Sequence, residues 1–567
     1  MSGYSKVIYF FIFSGFLLIN NLVLKAQSRS FAGLPIISPS KQINYQGNLN
    51  HLPEYNEIQD IYEKLVEAKG DRRMPVPALN LRSEEAYVAS MDYKLMDISI
   101  EKKAFDIAIK YGDAAIAFLL AHELIHYYEK HGWRSQYADA VSDLETGRVL
   151  KSLDDRVVNE VQADVLGGFL AYSAGFGIFE NGGSLINDLY ESYKMKDKTL
   201  GYPSKQDRIK LADRNQREIA QLANLFDMAG LLTIIGKYNE AYAYYGFLLN
   251  KYQSRELYNN AGLTCMMAAS SMMDPKVMVF DLPGILDLNF SGDSRSASQR
   301  EQINILISEA LIHFETAIIM NKNYIPSHIN KISAYIISAL NHTDTELKKI
   351  AFNKAIFILE NDVKEIQILQ PEYNFDNVQD ELLILKAILS YFGDDKVAAK
   401  KMMSNAVSLG SAIAIKNLAI MEGAVISSKP VVDNPKISID DMDAEKFLSS
   451  DLVSRNQTKI DENNIFRVTD QKDKNYKVLT HEFKGNDQTI GYDLGFVISN
   501  KSFTSAFLND IKIGSDKSSI ESIFGKPKRA ISHLDGEILL YSDSFIIITN
   551  QLDKIDKVID YKEILKP

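Results

Sequence analysis

The spacing of apolar and polar positions divides the chain into a helical majority and a strand-rich end. Residues 114–120 are almost wholly apolar and are good helix formers. Gly112 and Asp113 precede this run, with Asp113 the expected N-cap, and Gly132 is the expected stop. A second helix is expected over 155–171. Its Gly167 and Gly168 cost helix propensity but let two helix backbones approach closely. A helix over 53–69 and short strands at 86–89 and 95–100, joined by a turn at 91–94, complete this part. From about 222 the pattern changes to helix pairs. Residues 225–232 lead through Gly236 into a helix carrying Ala241, Tyr244, Tyr245 and Leu248. Residues 255–271 open another pair, 273–302 interrupt it as an insertion loop rich in Pro, Gly and Ser, and 309–317 resume it. Weaker pairs are expected at 326–360 and 375–423. A linker at 426–436 leads to alternating, β-branched segments. Strands are expected at 465–468, 476–483, 489–498, 511–513, 537–541, 545–549 and 554–561, with one short helix stopped at Gly525-Lys526-Pro527.

The candidate chemistry lies on the first two of these helices. His122-Glu123-Leu124-Ile125-His126 is H-E-x-x-H, and residues four apart leave one face of a helix, so both imidazoles can hold one metal ion. Glu123, beside the first ligand, can take a proton from an attacking water. A catalytic zinc needs a third protein ligand and an open fourth position. Glu160 is the candidate, and Asp164, on the same helical face, would accept the other ring N–H of a ligand histidine and fix its tautomer. The plain alternatives are two ordinary helix histidines and a solvated acidic face. His131 and Tyr127, on or just past the first helix, read as packing or surface residues.

His122-Glu123-x-x-His126 followed by Asn159-Glu160-x-x-Ala163-Asp164 resembles the gluzincin metallopeptidases of the HtpX and CAAX-prenyl-protease type. The likeness covers roughly residues 55–220. It implies one zinc ion on His122, His126 and Glu160, with Glu123 as general base. Members often carry a further His-Pro and an Arg downstream. Here Tyr202-Pro203 and Arg208 stand in the comparable stretch, so Tyr202 replaces the histidine. Tyr202 and Arg208 are the candidates for stabilising the oxyanion. The family also implies an edge strand beside the active-site helix that pairs with extended substrate, and 86–90 is the candidate for it. The Gly236-Lys237-Tyr238 turn with Ala241 after it is similar to a tetratricopeptide repeat. Stacked pairs of that kind leave a concave face for protein segments. The order resembles envelope peptidases of the BepA type, and the last module is weakly similar to the BamE type. The expected fold class is therefore mainly α. A helical zincin-type domain with a small sheet spans 55–221. An α-solenoid of tetratricopeptide-like repeats follows over 222–425, and a small α+β domain over 437–567.

Ahead of these, 1–27 is an expected signal peptide and 28–54 a leader. Lys6 precedes an apolar run at 7–19 of about signal-peptide length, with small residues near 26–28. An exported, periplasmic or secreted protein is expected, an uncleaved N-terminal anchor being the alternative, with no stable membrane span after signal removal. The single cysteine, Cys265, excludes an intramolecular disulfide. A net charge of −11 gives no electrostatic case for nucleic acid. The expected substrates are proteins or peptides, and the expected partners are proteins bound through the helical repeats. A non-catalytic scaffold or chaperone with a degenerate or structural zinc site, and a hydrolase of cell-wall peptides, are the other classes this sequence admits.

Overall fold

A computed structural model describes residues 48–85, 87–132, 142–145, 148, 156–197, 204–286, 299–370, 375–423, 437–439, 442–448, 457–470, 475–485, 490–500, 503–533, 536–541, 544–550 and 552–566. The expected signal peptide, most of the leader and the 426–436 linker lie outside them. Contacts separate a unit ending at Asn48 from a second, Leu49–Pro567, to which everything below belongs.

The described protein is mainly helical with some sheet. Helix α1, Pro53–Lys69, starts on a proline in its first turn and ends at Gly70, whose φ of 61° is a left-handed cap. Strands β1 (Ala78–Arg82), β2 (Ala89–Asp92) and β3 (Asp97–Glu101) form a three-stranded sheet in the order β1-β3-β2. Strand β2 is an edge, antiparallel to β3. The expected strand at 86–89 is displaced toward 89–92, and Ala86 lies outside the described residues. Helix α2 is Lys102–Ala108. Helix α3, Asp113–Tyr128, carries H-E-x-x-H. Gly112, not Asp113, occupies its cap position, at φ 84°. Its end comes before Gly132, because Lys130 turns left-handed at φ 57° and breaks the helical path.

Helix α4, Arg156–Ala171, carries Glu160 and Asp164. Helix α5 is Gly182–Ser192, and α6 runs from Lys205 to Ile235 as one rod, straight through residues 221 and 222. Ser204 caps it by accepting the Asp207 N–H. Helices α7 (Tyr238–Leu249), α8 (Arg255–Ser271), α9 (Gln299–Met320), α10 (Ile325–Asn341), α11 (Thr345–Phe357), α12 (Val363–Leu369), α13 (Gln379–Phe392), α14 (Lys396–Ser408) and α15 (Ala412–Met421) follow as packed neighbours. Helices α6 and α9 are long and apolar enough to cross a membrane by length and composition. Their most apolar windows are 67% and 39% buried inside the protein, so α6 serves as a core helix here.

The C-terminal part is an antiparallel sheet in the order β10-β11-β12-β13-β7-β6-β5-β4. Its strands are β4 (Gln457–Lys459), β5 (Asn464–Asp470), β6 (Tyr476–Phe483), β7 (Tyr492–Ser499), β10 (Arg529–His533), β11 (Gly536–Tyr541), β12 (Phe545–Thr549) and β13 (Ile555–Leu565). A small ribbon, β8 (Ala506–Leu508) with β9 (Ile511–Lys512), and helix α16 (Lys517–Phe524) sit beside it. One face of the sheet packs on the helices. Tyr244 of α7 donates or accepts a hydrogen bond with buried His481 at 2.9 Å, and Arg529 donates to the Ile234 carbonyl at 2.9 Å. A single apolar cluster therefore runs from Ile58 through Leu124, Phe169 and Leu232 to Leu494 and Ile559.

Candidate metal centre

Two helices make the site, and a missing side chain lets them meet. A Cβ on Gly167 would stand 2.9 Å from the His122 backbone nitrogen and 3.0 Å from its Cα, so α4 touches the backbone of α3. That approach carries Glu160 and Asp164, on the turns before it, onto the histidine face of α3. The His122 and His126 Nε2 atoms lie 3.0 Å apart. Glu160 Oε2 is 3.4 Å from the first, and Oε1 is 3.6 Å from the second. Donors about 2 Å from a tetrahedral zinc stand about 3.3 Å from one another, which these separations match. Among the described residues this is the one group of three or more such donors that could hold a metal ion.

The hydrogen bonds behind the rings decide which nitrogens are bare. His122 Nδ1 faces Asp164 Oδ1 at 2.8 Å and can only be donating, which leaves its Nε2 lone pair toward His126. His126 Nδ1 meets His131 Nδ1 at 2.9 Å, and His131 Nε2 meets Gln162 Oε1 at 3.1 Å. The glutamine oxygen accepts from His131 Nε2–H, so His131 Nδ1 accepts from His126 Nδ1–H. Two imidazole Nε2 atoms and a carboxylate then converge on one point, which either a proton on His122 Nε2 or a cation can occupy. The charges agree. Burial alone would depress His122, but Asp164 and Glu160 outweigh it and raise its pKa to about 10. His126 is pushed down to about 3 by burial and by His122. Burial works against Glu160, yet the two histidines and Arg208 hold it at about 2. The cluster thus binds one positive charge, as a proton or as a metal.

Glu123 lies on the same helix, and the Met91 backbone N–H of edge strand β2 acts to lower its pKa. Burial, reinforced by Glu160 and opposed by His122, raises its pKa to about 7. Arg208, in the first turn of α6, is influenced by the charges of Asp164 and Glu160 and by Tyr190; these outweigh its burial and raise its pKa. The structure therefore brings together His122, Glu123, His126, Glu160, Asp164 and Arg208. Tyr202 and Pro203 lie outside the described residues.

His131, read from sequence as a packing or surface residue, is a buried packing residue, and its contact with His126 Nδ1 is what that reading did not foresee. On a continuing helix five residues turn about 500°, carrying His131 well off the His126 face. The left-handed Lys130 bends the chain back instead. Tyr93 secures that bend, its hydroxyl donating to the His126 carbonyl at 2.8 Å and accepting from the Gly132 N–H at 3.1 Å. A Cβ at Gly132 would strike the Tyr93 ring at 2.2 Å. The one available signal was a third histidine within five residues of the motif.

Compared with known proteins, the chain matches no family model and no curated sequence.

Proposed function

We propose that this protein is an exported zinc-dependent endopeptidase. The observation that carries the reading is the convergence of three potential ligand residues, their donor atoms 3.0–3.6 Å apart, beside a carboxylate raised to about 7. A zinc ion held by His122, His126 and Glu160 would supply Lewis acidity, polarising a carbonyl and making a water acidic near neutrality. Asp164 and His131 hold the two ligand rings in the tautomer that leaves Nε2 free. Glu123 accepts the proton of the attacking water and returns it to the leaving amine. Arg208 offsets negative charge developing on the carbonyl oxygen, with Tyr202 as the second candidate for that role. Strand β2, an edge beside α3, offers backbone groups to an extended peptide. The helix pairs recruit protein clients, in the manner of an envelope quality-control protease, and the N-terminal apolar segment directs export.

The test is metal content and peptide hydrolysis on the purified chain. One zinc per chain is expected, lost in His126→Ala and kept in Glu123→Gln, with hydrolysis lost in both. A chain that takes up no metal and hydrolyses no peptide is instead the scaffold, and hydrolysis as fast after Glu123→Gln removes Glu123 as the base.

A further inference from the structure

The insertion expected after α8 does not loop away from the helices, for its last described residues lie across them. Asn330 of α10 grips the Ile285 peptide at both ends, its Oδ1 accepting the N–H at 2.7 Å and its Nδ2 donating to the carbonyl at 2.9 Å. Asn259 of α8 donates to the same carbonyl at 3.0 Å, and Ser333 Oγ donates to the Pro283 carbonyl at 2.7 Å. Asn417 of α15 repeats the two-ended grip on Asp281, accepting its N–H at 2.9 Å and donating to its carbonyl at 2.7 Å. All four side chains are fully buried. Asn259 is itself held in place, its Oδ1 accepting from Ser327 and from Asn330.

A carboxamide that pairs with both the N–H and the C=O of one residue imitates a neighbouring strand, so it recognises extended backbone whatever the sequence. Selectivity comes from what surrounds it. Phe280 packs edge-on against Tyr391 and Phe392, and Ile285 and Leu286 are fully enclosed. At Gly284 a Cβ would stand 2.6 Å from Leu263 Cδ1, so a side chain there has to displace that methyl group. Lys416 pairs with the Asp281 carboxylate at 2.5 Å. On the far side the Leu286 N–H donates to the Ser532 carbonyl of β10 at 3.0 Å. Removing the segment would leave buried amides and hydroxyls on three helices with nothing to bind, which is costly.

We infer that the face formed by α8, α10 and α15 is a groove for an extended peptide, occupied by the chain's own residues 280–286. Its partner in trans is an unfolded protein segment of like chemistry: aromatic, acidic, apolar, Pro-Gly, then two apolar residues. This rests on the helix pairs being the recruiting surface and is independent of the metal centre. The resident segment competes at the high effective concentration of a tethered ligand, about millimolar, and so keeps the groove closed to weak binders.

The test uses the full chain carrying Glu123→Gln, so that binding and not hydrolysis is read. A labelled peptide copying residues 279–286 is titrated by fluorescence anisotropy. Ile285→Ala loosens the resident without touching the groove and should tighten peptide binding at least tenfold. Adding Asn330→Ala should abolish that gain, and a peptide with Val at the glycine position should not bind. In the parent chain the Asp281 and Ile285 amides should exchange with deuterium at least tenfold faster than the amides of α10. A folded Ile285→Ala chain that leaves the peptide unbound overturns the inference. Should that variant not fold, exchange of both amides only together with α10 overturns it, by making the segment permanent core. Zinc content, measured alongside, reports on the metal centre separately.

Discussion

The candidate metal centre and the proposed groove use the same material, buried polar side chains on packed helices, and leave it in opposite states. In the groove each amide of Asn259, Asn330 and Asn417 is answered by a peptide group. At the metal centre two ring nitrogens and a carboxylate face one another. Saturated polar groups indicate a ligand already built into the chain. Converging nitrogens and a carboxylate that can share one proton indicate room for a ligand carrying positive charge.

The sharpest way to break this contrast is Glu123→Gln. Peptide hydrolysis should fall by about 10²–10⁴-fold, the usual worth of a general base, while zinc stoichiometry stays at that of the parent. A loss of zinc in that variant would mean that the carboxylate is a ligand and the geometry has been misassigned. Next comes Gly167→Val, whose branched side chain has no room against the His122 backbone. It should cost about 1–3 kcal/mol in urea denaturation and abolish zinc retention, because α4 is pushed off α3. Retained zinc at parental stability would show that the close helix approach is incidental. His131→Ala should weaken zinc about 10–100-fold in chelator competition and alter the visible spectrum of the cobalt-substituted protein. His131→Asn, which restores an acceptor for His126 Nδ1–H, should recover part of the affinity. If alanine and asparagine behave alike, His131 is only filling space.

The pH profile comes next in size. Glu123 acts as a base only when deprotonated, and its pKa lies at about 7 rather than in the ordinary carboxylate range. kcat/KM should therefore rise with pH and level off above about 7, falling about tenfold per unit on the acid side. A bound cation moves this limb lower, so metal-free electrostatics set its upper bound. A profile flat from pH 5 to 8 would remove Glu123 from the rate-limiting proton transfer. The smallest effect belongs to the groove's rim. Lys416 and Asp281 pair with about half of each side chain exposed, so Lys416→Ala should change stability by no more than about 0.5 kcal/mol.

Much of the metal centre was legible because it is local. Two histidines four apart and two carboxylates four apart follow from helical period alone, and Gly167 signals that the two helices meet. His131 was not legible, because its position depends on one left-handed residue, Lys130, that no apolar pattern marks. Strand β1 was missed for a related reason. Its residues, Ala78–Arg82, are short and half-exposed, and it is a strand because it pairs in parallel with β3. The insertion at 273–302 looked like a loop since Pro and Gly dominate it locally. Its partners lie as far away as Asn417 and Ser532, beyond the reach of any pattern in the sequence.

Helix α6 holds Arg208 near one end and, 26 residues on, the Ile234 carbonyl that accepts from Arg529 of the C-terminal sheet. At 1.5 Å per residue these points are about 40 Å apart on a single rigid bar. A tilt of about 5° around its midpoint would carry the guanidinium by about 2 Å, enough to take it out of hydrogen-bond range. Whatever pulls on that sheet therefore has a lever reaching the carboxylates of the candidate metal centre.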